Sequence, residues 1–292
     1  MIELDGLTRT CGLIGNPVEH TVSPEIHNTL AEATGYNLAY VPFHVQTGYL
    51  EQAVKGAYAL NLLGLNVTVP YKGDVIPFLK EIDPLAEQIG AVNTLVRTEG
   101  GYKGYNTDMP GLYRAMCSDG VQIDGEQVLI LGAGGVARAV AVLMAEKKAE
   151  KIYILNRTLE RAKQVAEEVN GLAGREVACP MELSAYRNLS ENRKYLCIQA
   201  TNVGMYPKVE ETPIEDADFY KLVHTGYDLI FNPLDTRFMQ LVRENEGKAY
   251  NGLKMLLYQG IIAYELWTGK EIADSLAEDV LEKMLSAMEK KK

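Results

Sequence analysis

Residues 128–140 read VLILGAGGVARAV: four apolar residues, a glycine-rich turn at Gly132, Ala133, Gly134 and Gly135, then Val136 and an alanine-rich run of helical character. The order strand, glycine turn, helix matters more than the glycines. Without side chains in the turn, backbone N–H groups can approach a pyrophosphate, and the helix N-terminus adds partial positive charge. A tight turn of purely structural purpose is the plainer alternative. The end of the next apolar run, YILNRTLERA (153–162), weighs against it. A site specific for NAD usually places Asp or Glu there to accept from ribose hydroxyls, whereas this chain has Asn156, Arg157 and Thr158, with Arg161 one turn on. The planar donor fork of Arg matches a 2′-phosphate, so the pattern points to NADP. The competing reading makes Thr158 a helix cap and both arginines solvated.

The remaining bulk properties fit such a domain and one more. A length of 292 residues favours two domains, and 47% apolar with 23% charged residues is ordinary for a soluble enzyme. The formal charge of -10, with no Lys/Arg cluster before the terminal EKKK, argues against a nucleic-acid surface or an anionic membrane. Cys11, Cys117, Cys179 and Cys197 lie far apart without CxxC spacing, so neither a disulfide framework nor a zinc site is indicated, and no metal is expected. The N-terminus MIELDGLTRTCG has no apolar signal core, and no segment approaches a membrane span of about 20 apolar residues. A cytoplasmic location is expected.

Short apolar runs alternate with helical patterns nearly throughout, as βαβ units on a parallel sheet require. Strands are expected near CGLIG, NLAYVPFHV and GLNVTV, with helices beginning near Pro24, Thr47 and Lys72, and a hairpin over AVNTLVRTEGGYKGYNTD turning at Gly100 and Gly101. A second series follows: strand QVLILG, helix from Gly135, strand KIYILN, helix from Leu159, then strands YLCIQAT and GYDLIF. Two late helical patterns, GLKMLLYQGIIAYELWTG and SLAEDVLEKMLSAM, have no strand between them and are expected to return to the first domain. The division is therefore an α/β substrate domain of residues 1–107 and 252–292 and a Rossmann-like domain of residues 108–251.

Three stretches of the first domain gather polar side chains at the ends of apolar runs: HTVSPEIHN (20–28), NVTVPYK (66–72) and AVNT with YNTD (91–94, 105–108). Carboxyl ends of parallel strands are where open α/β sheets bind ligands. Each stretch also has a plainer reading. Ser23-Pro24-Glu25 is a good N-cap with proline in the first turn, and Asp108 is a plausible cap. Lys72 alone would be an ordinary surface lysine. His20 and His27, beside better placed hydroxyls, read as structural.

Together, in order, these motifs resemble the shikimate dehydrogenase family, from GLIGNPVEHTVSPEIHN (12–28) to NGLKMLLYQG (251–260). The resemblance implies a substrate domain, a Rossmann-like NADP domain, and reversible reduction of 3-dehydroshikimate to shikimate with NADPH, within aromatic amino-acid biosynthesis. It implies that Thr21 and Ser23, matching the family's H-S-x-S-P, bind the substrate carboxylate, with Thr in place of the first Ser. It further implies substrate roles for Asn66, Thr68, Asn93 and Gln259, a catalytic pair of Lys72 and Asp108, and cofactor contacts from the glycine turn, NRT, Thr201, Asn202 and Met205 of ATNVGM, and Gly252. In such chemistry the cofactor supplies hydride and the protein supplies position, charge and proton, and an ammonium at Lys72 suits the proton.

One departure is visible. The family commonly has Tyr-Asn-Pro after the strand ending YDLI, with the Tyr hydroxyl helping to bind carboxylate; here the residue is Phe231. The nearest alternative is accordingly a quinate or dual quinate/shikimate dehydrogenase using NAD or NADP. A catalytically silent cofactor-binding regulator on the same scaffold is a different class, against which Lys72 and Asp108 argue. A methylene-tetrahydrofolate-type enzyme of similar plan finds no support in the substrate motifs. The expected partner is a small-molecule substrate, with no nucleic acid and no membrane, and the chain is expected to be a monomer or homodimer.

Overall fold

The computed structural model describes residues 4–190 and 192–289. Two units emerge, one holding the residues up to Leu112 together with those from Leu256, the other running from Tyr113 to Met255.

In the first unit the chain runs β1 (Arg9–Gly15), α1 (Ser23–Thr34), β2 (Leu38–His44), α2 (Leu50–Ala59), β3 (Gly64–Val67), β4 (Glu81–Ile82), α3 (Pro84–Ile89), β5 (Thr94–Thr98), β6 (Gly101–Tyr105) and the first turn of α4 (Asp108–Ser118), whose later residues are counted with the second. The sheet order is β2-β1-β3-β5-β6-β4. The strands β2, β1 and β3 are parallel, as alternating apolar runs and helices dictate. β5 and β6 then run antiparallel as the expected hairpin. Gly101 is already paired with Thr98, so the turn falls on Glu99 and Gly100, where Gly100 takes φ +82°. Because β5 is reversed, its beginning lies beside the end of β3, with Asn66 opposite Thr94. The end of β6 lies there too, Tyr105 opposite Thr94. This reversal is what gathers the polar motifs.

Two helical expectations are corrected here. The helix expected near Thr47 starts at Leu50, after a turn closed by Tyr49 N–H to Gln46 O. No helix starts at Lys72. Pro77 has no N–H to give, and the segment tightens into three-residue turns, Ile76 to Gly73, Phe78 to Val75 and Leu79 to Ile76. Lys72 thus sits in a turn, its carbonyl accepting from Val92 N at 2.8 Å.

The second unit continues β7 (Gln127–Leu131), α5 (Gly135–Glu146), β8 (Lys151–Asn156), α6 (Leu159–Ala173), β9 (Ala178–Glu182), β10 (Tyr195–Gln199), α7 (Ala217–Tyr220), β11 (Val223–Asp228), α8 (Arg237–Glu244) and β12 (Lys248–Tyr250). All its strand pairs are parallel, in the order β12-β11-β10-β7-β8-β9. Numbered from β7, that is the 3-2-1-4-5-6 order of the Rossmann fold. The central strands β7 and β10 are covered on both faces, which explains their unbroken apolar runs. The strands expected over YLCIQAT and GYDLIF stop at Gln199 and Asp228, which puts Thr201 and Phe231 in the loops beyond the strand ends. Short β9 and β12 gave no periodic signal of their own.

Two helices close the chain, α9 (Leu253–Thr268) and α10 (Asp274–Glu289). α10 packs on α1. From α9, the Trp267 indole N–H donates to Leu95 O (2.9 Å) and Tyr264 Oη lies 2.6 Å from Thr34 Oγ1. Among the described residues no helix is long and apolar enough to cross a membrane.

Candidate active site

In the first unit the chain leaves β1 toward β2 on one side and later enters β3 on the other, so the carboxyl ends of β1 and β3 flank a topological switch point. Beside it, Lys72 Nζ donates to Asp108 Oδ2 at 2.7 Å, with the two side chains 33% and 20% exposed, open enough to meet a ligand. The other carboxylate oxygen, Oδ1, accepts from Asn93 Nδ2 at 2.9 Å.

Asn93 has only one workable orientation. Its Oδ1 accepts from Thr107 N (2.7 Å) and Thr94 Oγ1 (3.1 Å), while its Nδ2 also reaches Thr107 Oγ1 (3.0 Å). A flipped amide would set N–H against N–H at Thr107 and oxygen against the Asp108 carboxylate. The network continues inward. Asn66 Nδ2 donates to Thr94 Oγ1 (3.1 Å) and Asn93 O (3.3 Å), and its Oδ1 accepts from the buried Tyr40 hydroxyl (2.7 Å). Such a chain, nearly all buried, rigidifies the pair at its outer end.

Asp108 is not the cap of its helix. Asn106 Oδ1 accepts from Asp108 N (3.1 Å) and Met109 N (3.4 Å), which leaves the Asp108 carboxylate for Lys72 and Asn93. Ser23 is not a cap either, since α1 has no side-chain cap hydrogen bond. Thr21 Oγ1 instead donates to Ser23 Oγ (3.0 Å) and accepts from Ser23 N (3.1 Å), so the two hydroxyls stand together at the helix start. Half-buried Thr68 follows β3, its N–H given to Ile14 O (2.9 Å). Gln259, on α9, gives its Nε2 to Leu256 O (2.7 Å). Gly111 lets α4 lie against it, as a Cβ there would sit 2.6 Å from Gln259 N.

His27 is fully buried, stacked on Tyr40 at 4.2 Å and tilted against Trp267 at 5.0 Å. Neither ring nitrogen has a hydrogen-bond partner among the described residues, and burial pushes its pKa down to about 3. It is a neutral core group.

In the second unit Gly132, Ala133, Gly134, Arg157, Thr201 and Asn202 line part of a cavity of about 430 Å³. Gly134 precedes α5 without any side-chain cap, and nothing stands within 4 Å of where a Cβ on Gly134 or Gly135 would be. No side chain caps the start of α5 and its two glycines leave room beside it, which suits a pyrophosphate. Gly132 has φ +114°, and a Cβ there would lie 2.9 Å from Thr201 Cγ2, so only glycine fits the turn. Arg157, Thr158 and Arg161 are exposed at the end of β8. Thr158 occupies the N-cap position of α6 with extended backbone but makes no side-chain cap bond. Asn156 Nδ2 donates to Thr158 O (2.9 Å) and shapes this corner. Val136 and Met205 are exposed, 52% and 45%. Half-buried Phe231 lies three residues past β11, and Gly252 N–H donates to Ile230 O (2.9 Å).

Sequence reasoning missed Tyr40, Thr94, Asn106, Thr107, Gln199 and Asp228. Asn106 alone had a local signal, as an Asx residue directly before a helical pattern.

A parallel sheet in Rossmann order with an open glycine turn, and in the other unit an ammonium held on a carboxylate, are the features that a nicotinamide-dependent oxidoreductase acting on a CH–OH group uses. Family models agree: Shikimate dehydrogenase substrate binding domain matches residues 13–95, Shikimate / quinate 5-dehydrogenase residues 116–186, and Shikimate 5′-dehydrogenase C-terminal domain residues 252–282. The chain is 41% identical to a shikimate dehydrogenase (NADP(+)) of Desulforamulus reducens, over 97% of this chain and 98% of the relative. A shikimate 5-dehydrogenase from Listeria monocytogenes in complex with shikimate and NAD superposes with TM-score 0.86 at 32% identity, covering 95% and 98% of the two chains. That of Thermus thermophilus, in complex with NADP(H) and shikimate, gives 0.82 at 32%, covering 95% and 100%. The chain belongs to the shikimate dehydrogenase family.

Proposed function

We propose that this chain catalyses the reversible, NADP-dependent reduction of 3-dehydroshikimate to shikimate, in the cytoplasm, for aromatic amino-acid biosynthesis. The observation that carries the reading is the Lys72–Asp108 pair at 2.7 Å, locked by an Asn93 amide that cannot flip. The curated relatives named for NADP(+) support the cofactor, and four free thiols fit a reducing compartment.

NADPH, when bound, supplies the hydride. The uncapped start of α5 and the glycine turn would hold its pyrophosphate, and Arg157 and Arg161 its 2′-phosphate. Thr21 and Ser23 hydroxyls hold the substrate carboxylate, helped by the α1 N-terminus, so no arginine is needed. Asn66, Thr68, Asn93 and Gln259 orient the ring hydroxyls. Lys72 uses one N–H on Asp108 and has two left, one of which stabilises the forming alkoxide and passes its proton to that oxygen. In oxidation Lys72 Nζ takes the proton back. Asp108 keeps the ammonium aimed.

Initial rates with shikimate and quinate, each with NADP+ and NAD+, test the reading. The highest kcat/KM is expected for shikimate with NADP+. Faster quinate turnover would assign the chain to the quinate branch, and no turnover with any pair would make it a silent binder.

A further inference from the structure

Two fully buried polar side chains of the second unit, Gln199 at the end of β10 and Asp228 at the end of β11, do not line the cavity, yet they support one of its walls. Gln199 Oε1 accepts from Thr201 N (2.6 Å) and Thr201 Oγ1 (2.7 Å). Its Nε2 donates to Val203 O (3.0 Å) and reaches Asp228 Oδ1 at 3.4 Å. A flipped amide would oppose donors at Thr201 and acceptors at Val203, so the orientation is fixed. Thr201 has spent its hydroxyl proton on Gln199 and accepts from Val203 N (3.1 Å). What it turns toward the glycine turn is its methyl, 2.9 Å from where a Cβ on Gly132 would be. The turn at 201–203 therefore meets the dinucleotide turn by van der Waals contact, and its position is set from behind.

Behind Gln199, Asp228 collects three donors: Thr236 Oγ1 on Oδ2 (2.6 Å), and Ile230 N (3.0 Å) and Gln199 Nε2 on Oδ1. A carboxylate can only accept, which suits three converging donors; an Asn there would keep Ile230 N and Gln199 Nε2 on its oxygen but set its N–H groups on Thr236 Oγ1, which would have to accept and lose the partner for its own proton. Burial raises its pKa to about 6 against those hydrogen bonds, so the charge is costly to keep here and is held only by its three donors.

We propose that Gln199 and Asp228 are positioning residues for the cofactor, acting through Thr201 to hold the 201–203 turn against Gly132 and so fix the cavity that receives the dinucleotide. This rests on reading that cavity as the NADP site. Titrating the full chain with NADPH, followed by its fluorescence, separates the two claims. A wild-type chain that binds no NADPH would refute the reading of the cavity itself. With wild-type binding in place, Gln199→Leu and Asp228→Asn should each weaken NADPH by about tenfold, the scale of one lost hydrogen bond to a charged or tightly fixed group. In Gln199→Leu the KM for shikimate at saturating NADP+ should move less than about twofold, because the lost side-chain bonds run to Thr201, Val203 and Asp228 and not to the Phe231 segment. A merely structural role would lower the melting temperature without that split. Thr201→Val keeps the methyl contact and removes only the hydroxyl. Combined with Asp228→Asn it should be no worse than the poorer single variant, since both cut one chain of contacts. If Gln199→Leu does not fold, this cycle decides alone. Unchanged NADPH affinity in Asp228→Asn, or fully additive losses in the cycle, would overturn the proposal.

Discussion

His27→Phe should make the first unit markedly less sensitive to acid. The ring lies between Tyr40 and Trp267 with no partner for either nitrogen among the described residues, and burial lowers its pKa from 6.5 to about 3. A depressed folded-state value means that the unfolded chain takes up a proton that the folded chain refuses. His27 thus contributes stability that is present above pH 6.5 and lost as pH falls toward 3. Between pH 7.5 and pH 5.0 the loss is about 2 kcal/mol, approaching about 5 kcal/mol near pH 3. Asp228 acts in the opposite sense, because its raised value adds stability as pH falls from about 6 toward 3.8. It lies in the other unit, however, and the chain's one tryptophan is Trp267, beside His27. Urea unfolding followed by Trp267 fluorescence at pH 7.5 and 5.0 therefore reads the relevant unit. Phe is slightly larger than His, and overpacking costs about 1–3 kcal/mol, but that cost is the same at both pH values and cancels in the difference. The wild type should lose about 2 kcal/mol more than the variant on going to pH 5.0. Equal losses in both proteins would mean that His27 is protonated in the folded state and that the buried, unpartnered ring is the wrong picture.

Three further outcomes are expected. Lys72→Ala should lower turnover by roughly 10²- to 10⁴-fold with NADPH affinity nearly intact, as general acid–base groups are worth about that much; near-normal turnover would remove Lys72 from the proton path. Arg157→Ala should weaken NADP+ by roughly tenfold to a hundredfold and leave NAD+ almost unchanged, since a charge-assisted hydrogen bond contributes about 1.5–3 kcal/mol; equal weakening of both cofactors would detach Arg157 from the 2′-phosphate. Phe231→Tyr should lower the KM for shikimate by roughly 2- to 12-fold with turnover unchanged, the value of one net hydrogen bond. Weaker shikimate binding at unaltered stability would point to a pocket shaped for another substrate.

Which of these residues could be read from the sequence follows from how far their signal travels along the chain. The glycine turn, the strand before it and Arg157 lie within about thirty residues of one another, and a βαβ unit is itself local, so periodicity and turn chemistry find them. Helix α1 is legible for the same reason, though it is Thr21 Oγ1, not Ser23 Oγ, that takes the first helix N–H, while the two hydroxyls bond each other. Lys72 and Asp108 are 36 positions apart and meet only because the β5–β6 hairpin reverses the sheet; composition and periodicity carry no trace of that pairing. Thr94 and Thr107 fall inside the polar stretches already singled out but carry no separate sign of a role, while Tyr40, Gln199 and Asp228 sit in or at the ends of strands, where a single polar residue in an apolar run looks like ordinary strand composition. Their role becomes visible only when each donor and acceptor is assigned a partner. A buried polar group costs about 1–3 kcal/mol if left unpaired, so each one fixes its neighbours' orientation as firmly as packing does. In both units the side chains proposed to meet ligand are held by a second, buried set: Tyr40, Thr94 and Thr107 behind Asn66 and Asn93, Gln199 and Asp228 behind Thr201. Substitutions in those inner sets should therefore alter binding and turnover while leaving every contact residue in place, and sequence motifs drawn only around the contact residues would not foresee it.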